Sequence, residues 1–150
     1  MTLARLILWE HTTCWAAALR QATSDQPIRL VETRTWGESL GHLGEASRSV
    51  VALELAPQRA EQVLAALEEL DRRFPHAVPI VLASRGMKAY GPLMREAGAM
   101  LFAVSPRRLD IVARLVRRHL DRMPEQTDDL RDAVWARMPW RGEPRALARG

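Results

Sequence analysis

A chain of 150 residues with a single cysteine, a single lysine, one tyrosine and two phenylalanines excludes several kinds of protein at once. Cys14 has no partner for an intrachain disulfide, so a disulfide-stapled secreted scaffold is excluded and a reducing cytoplasm is the expected setting. No apolar run approaches the roughly 20 residues a membrane span needs, and no membrane contact is expected. The apolar stretch after Arg5 is broken by Glu10 and His11, short of a signal-peptide core, and reads as a first strand leading to a helix. His42, His76 and His119 are widely separated and join no second cysteine in a ligand pattern, so no metal is expected.

What remains is the composition of an ordinary folded domain: 47% hydrophobic and 27% charged residues, neither disordered nor membrane-spanning. At this length one domain can bury roughly 68–70% of its unfolded surface, enough for a core without staples. The net charge of +4 is unevenly placed, because eleven arginines face seven acidic residues between Arg107 and Gly150, which accounts for the whole excess. With Lys88 the only lysine, arginine carries nearly all the positive charge, and a composition bias explains this more economically than a need for bidentate anion binding.

Five short apolar runs, at residues 3–9, 28–33, 50–55, 78–83 and 100–104, alternate with stretches of helical spacing. Leu64, Leu67 and Leu70 mark one such helix, and Leu109, Val112, Val116 and Leu120 another. Runs such as VPIVLA are apolar throughout, as a strand covered on both faces should be. The pattern predicts a three-layer α/β sandwich with a five-stranded parallel sheet and helices on both faces. The segment GESLGHLGEAS is open between helix and loop, because three glycines lower its helix propensity. A domain over residues 1–123 is followed by an extension over 124–150. There Thr127, Asp128 and Asp129 open one more helix, with Leu130, Val134 and Met138 on one face and Pro139 at its end.

From Arg95 to Asp110 the chain reads REAGAMLFAVSPRRLD: a helix end at Gly98-Ala99, a strand, then Ser105 before Pro106. Together with the five-fold alternation, this stretch resembles the response-regulator receiver domain (the CheY-like family), over roughly residues 3–122. The resemblance implies a flavodoxin-like fold and allows a residue-by-residue comparison of the site. Receivers hold magnesium on an acidic cluster after the first strand and on a phosphoacceptor aspartate ending the third. A hydroxyl ends their fourth strand and a lysine their fifth. Here the first position keeps one carboxylate, Glu10. Glu54 stands near the acceptor position, Ser84 keeps the hydroxyl, and Ser105 replaces the lysine. Magnesium needs hard carboxylate oxygens and a transferring phosphoryl group needs cations, and both are depleted. The longer side chain of Glu54 would also displace a nucleophilic oxygen, and a misplacement of about 1 Å can cost on the order of a hundredfold in rate.

The resemblance therefore implies a degenerate pseudo-receiver with no catalytic residue and no cofactor, acting in signalling or scaffolding through protein contacts. In receivers the fourth helix, fifth strand and fifth helix often form dimers. Carried over, that face covers Lys88 to Met94, Leu101 to Val104 and Arg107 to Arg122, and it implies a homodimer. Glu54 itself is expected to be a solvated strand-end residue.

Two rival functions remain. A flavodoxin-like protein could bind a small molecule or nucleotide at the crest, but the loop His11-Thr12-Thr13-Cys14 lacks the glycine a phosphate loop usually has. Helix capping by Thr12 or Thr13 and a core-facing Cys14 are the expected roles there. Alternatively, Arg107, Arg114 and Arg118 lie near one face of the last receiver-like helix and could meet nucleic acid, against the more economical reading of a solvated face. In the tail, Trp135 and Trp140 must bury against something, either their own domain or a partner's groove.

Overall fold

A computed structural model describes residues 4–123. The first strand, β1, is Arg5–Trp9, followed by α1 (Cys14–Ala22), β2 (Arg29–Thr33), α2 (Trp36–Glu45), β3 (Val50–Leu55), α3 (Ala60–Arg73) and β4 (Val78–Ala83). A 3₁₀ turn over Arg85–Tyr90 leads into the short α4 (Gly91–Glu96), then β5 (Leu101–Ala103), a second 3₁₀ turn (Pro106–Arg108) and α5 (Asp110–Arg122). All five expected strands form, and every pairing between them is parallel. Their order across the sheet is β2-β1-β3-β4-β5. The chain thus runs outward from β1 to one edge, then returns to β1's other side, which opens a crevice at the carboxyl ends of β1 and β3. None of the described helices is long and apolar enough to cross a membrane.

Two apolar layers hold the sandwich together, one on each sheet face. The period of two along a strand sends Leu6, Leu8, Val50 and Ala52 to one side, where they meet Trp15 and Leu19 of α1 and Val112 and Val116 of α5. Ile7, Val51, Leu53 and Leu55 go to the other, against Leu43 of α2, Val63, Leu67 and Leu70 of α3 and Met94 of α4. All six residues of β3 are buried, which explains why its sequence is nearly continuous in apolar side chains. The exception on β3 is Glu54, and it shares the face of Val50 and Ala52.

The glycine-rich segment that the sequence leaves open is a helix. Thr35 caps it by accepting from the Glu38 amide at 3.2 Å, and the Thr35 hydroxyl donates to the Glu38 carboxylate. Ser39 and Leu43 are buried beneath it, while Gly37, Gly41 and Gly44 lie on its exposed side. A good cap and a buried face outweigh three unfavourable propensities. Gly98, which links α4 to β5, has a φ of 120°, a conformation that side-chain-bearing residues rarely adopt. The extension over 124–150, with its expected helix and with Trp135 and Trp140, lies outside the described residues.

Candidate functional site

The carboxyl ends of β1, β3, β4 and β5 meet the β1–α1 loop at the sheet's crest. Glu10 directly follows β1, and Glu54 is the fifth residue of β3, opposite Leu82 of β4. Both follow the pleat toward the α1 side. Glu54 is 4% exposed and Glu10 fully buried, so the expectation of a solvated Glu54 is wrong. Burial is offset by hydrogen bonds, as a buried carboxylate requires. Glu54 Oε1 accepts from the backbone N–H of His11 at 2.9 Å and of Thr12 at 3.3 Å, while Oε2 accepts from the Thr12 hydroxyl. Glu10 Oε2 accepts from the N–H of Trp15 at 3.3 Å.

This arrangement corrects a second expectation. Thr13 occupies the N-cap of α1 but makes no side-chain capping bond, and the Thr12 hydroxyl is spent on Glu54. The amides before and within the first turn of α1 are held by Glu54 of β3 and by Glu10, which follows β1. Cys14, expected to face the core, is exposed because Trp15 and Ala16 take the inward positions instead.

Glu10 Oε1 has no hydrogen-bond partner among the described residues. Desolvation raises the pKa of Glu10, the Trp15 amide opposes this, and the nearby negative charge of Glu54 adds to the rise. Arg34 fastens the same loop from outside, donating to the backbone carbonyls of Glu10 and Thr12 at 3.3 and 3.4 Å. Nothing in the sequence singles out Arg34, because its role depends on β2 ending beside β1.

Ser84 and Ser105 follow β4 and β5 at the same level. Ser105 caps the turn after β5 by accepting from the Arg107 amide at 3.3 Å, a structural role for the residue standing at the lysine position. Arg107 belongs to that 3₁₀ turn and not to α5, which begins at Asp110, so it does not share a helical stripe with Arg114 and Arg118. Those two are exposed on α5, while Arg117 pairs with Asp25 at 2.8 Å. Among the described residues no three His, Cys, Asp or Glu side chains gather in a way that could hold a metal ion.

On the opposite sheet face, the crest carries a cluster the sequence does not announce. Trp9 and Trp36 pack with ring centroids 5.1 Å apart, and the Arg59 guanidinium lies 4.7 Å from the Trp9 ring. Arg59 is 8% exposed, its Nη1 has no partner among the described residues, and burial lowers its pKa. The only signal available in sequence was a tryptophan at the end of β1 and another at the start of the next-but-one helix.

No family model and no curated protein matches the chain. Solved structures do. A response regulator from Thermotoga maritima superposes with a TM-score of 0.66 at 17% identity, over 79% of this chain and 99% of that one. The fold is that of a receiver domain. The CheY-like protein TadZ from Pseudomonas aeruginosa is equally similar, with a TM-score of 0.66 at 18% identity over 78% of this chain and 99% of its own. A third, an atypical orphan response regulator described as having a phosphorylation-independent regulatory mechanism, reaches 0.65 at 11% identity over 81% and 99%. In this structure Glu10, Glu54, Ser84 and Ser105 all stand at or just beyond the carboxyl ends of β1, β3, β4 and β5.

Proposed function

We propose that this protein is a pseudo-receiver: a non-catalytic signalling or scaffolding module that works through protein contacts independently of phosphorylation. The observation that carries the reading is the saturation of Glu54. Both of its oxygens already accept hydrogen bonds from the β1–α1 loop, so the carboxylate at the acceptor position serves as a fastener. The residues present do not fit the magnesium ion of a working receiver. Glu10 offers a single unpartnered oxygen, Oε1, and both oxygens of Glu54 are committed elsewhere, which leaves no pair of free hard oxygens. Ser105, capping its own turn, supplies no cation. The similarity to an orphan regulator described as phosphorylation-independent is consistent with this reading.

The contact surface we assign is the face of α4, β5 and α5, acting between two copies of the chain. Three large apolar side chains are exposed in this part of the fold: Leu93 on α4, Met100 directly before β5 and Ile111 on α5. The test is light scattering on the full chain with and without acetyl phosphate and magnesium. The expected result is a dimer of unchanged mass in both conditions that becomes monomeric on joint Leu93→Glu and Ile111→Glu substitution. Assembly that depends on acetyl phosphate would contradict the proposal.

A further inference from the structure

The same crest contains an open space. Between the β1–α1 loop and the ends of β3, β4 and β5 lies a cavity of about 440 Å³, inside the range of about 300–1,000 Å³ usual for small-molecule pockets. It exists because small side chains stand at the strand ends. Ala83 closes β4 and Ser84 follows it, while Ala56 and Ser105 stand just beyond β3 and β5. Larger residues form the walls: Trp15 of α1, Leu55 of β3 and Val104 after β5. The cavity sits outside the carboxyl ends of parallel strands and reaches the crevice between β1 and β3, where the chain reverses its order across the sheet.

The cations at this space are free for a ligand. Among the described residues Glu54 is the only carboxylate in its lining, and its oxygens are turned to the His11 and Thr12 donors. Arg85 and Arg107 border it from the β4 and β5 ends, both exposed, and neither pairs with a carboxylate among the described residues. Two guanidinium groups beside an apolar hollow suit a molecule with an anionic group and an apolar body. A bare inorganic anion would leave the apolar part of the hollow unfilled, and a neutral apolar molecule would forgo both cations.

We propose that the crest cavity binds a small organic acid with an apolar body, the acid group meeting Arg85 and Arg107 and the body filling the hollow at the ends of β3, β4 and β5. This inference rests on the pseudo-receiver reading, since a phosphoryl group and the acid would claim the same strand ends. It also supplies that reading with an input. Arg107 lies in the turn that leads directly into α5, so occupancy of the cavity acts on one edge of the face assigned to contact.

The test uses 2-naphthoate as probe and neutral 2-naphthamide as its control, on the full chain. Calorimetry reads affinity, and the rate of Cys14 alkylation by iodoacetamide reads occupancy, because this single, exposed cysteine lines the cavity. The expected result is one site for 2-naphthoate, with affinity at least about tenfold above that for the amide, as charge-assisted bonds favour the acid. Alkylation should slow as the site fills. Joint Arg85→Gln and Arg107→Gln substitution should remove the preference for the acid, and Ala56→Trp, which fills the hollow from its rim, should abolish binding of both compounds. Absence of saturable 2-naphthoate binding, equal affinity for acid and amide, or an acid preference that survives loss of both arginines would overturn the proposal while leaving the pseudo-receiver reading intact. A magnesium-dependent phosphoryl adduct would remove that reading and the proposal with it.

Discussion

The Glu54 carboxylate of β3 sits 2.9 Å from the backbone nitrogen of His11, a residue 43 positions earlier that opens the loop into α1. This bond, with the two from Thr12, joins a central strand to the start of a helix that has no side-chain cap of its own. Its removal has a predictable cost. Glu54→Ala leaves two loop amides and a hydroxyl without their acceptor and should lower stability by about 1–3 kcal/mol. Glu54→Gln keeps one acceptor oxygen in place, and the Thr12 hydroxyl can rotate to accept from the new amide, so most of the loss should be recovered. Urea unfolding of the three proteins reads the difference, and a Glu54→Ala protein as stable as wild type would mean that the loop is held by other contacts.

The contribution of Glu10 to stability depends on pH. Its folded pKa lies above its ordinary 4.5, chiefly through desolvation, so its contribution to stability is complete below that value and is lost as pH rises through the folded pKa. At neutral pH the buried charge is therefore a liability. Glu10→Gln, which retains an oxygen for the Trp15 amide, should raise the melting temperature at pH 7 and bring no gain near pH 4. A substitution effect of the same size at both pH values would place the Glu10 pKa at its ordinary value.

Arg59 tests the cluster on the other sheet face. Its guanidinium stacks on Trp9, and its Nε donates to Gln62 at 3.3 Å, yet one nitrogen is buried without a partner among the described residues. Arg59→Ala should cost about 1–2 kcal/mol through lost contact with the ring and should alter tryptophan fluorescence. Arg59→Met keeps much of the apolar stem and discards the unpartnered nitrogen, so it should fall within about 1 kcal/mol of wild type. If Met proves as costly as Ala, the cation itself is what Trp9 requires.

Much of the architecture was legible because it depends on local pattern. Five apolar runs and the Gly98-Ala99 turn predict the sheet, and the glycine does stand at positive φ. The site was legible only as a set of positions. Which way Glu54 points depends on β3 pairing with β1 and β4, both distant in sequence, and a glutamate near a strand end reads locally as solvated. Cys14 and Thr12 were misplaced for the same reason: a local helix-start pattern suggests capping, while the actual caps arrive from β1 and β3. The Trp9–Trp36–Arg59 cluster left no spacing signal, since three separate elements build it.

Gly98 offers a test of backbone geometry alone. A Cβ added there would meet no atom within 4 Å, so the cost of Gly98→Ala is conformational. With φ at 120° that cost should be about 1–3 kcal/mol. A thermal melt showing no loss would indicate that the α4–β5 connection adopts another conformation.

The measurement that bears most directly on the account is the intact mass of the full chain after incubation with acetyl phosphate and magnesium, for wild type and Glu54→Ala. With the Glu54 oxygens committed to His11 and Thr12, the account predicts no change in mass for either protein. A gain of one phosphoryl group by wild type that is absent from Glu54→Ala would contradict it and make this crest a working phosphoacceptor.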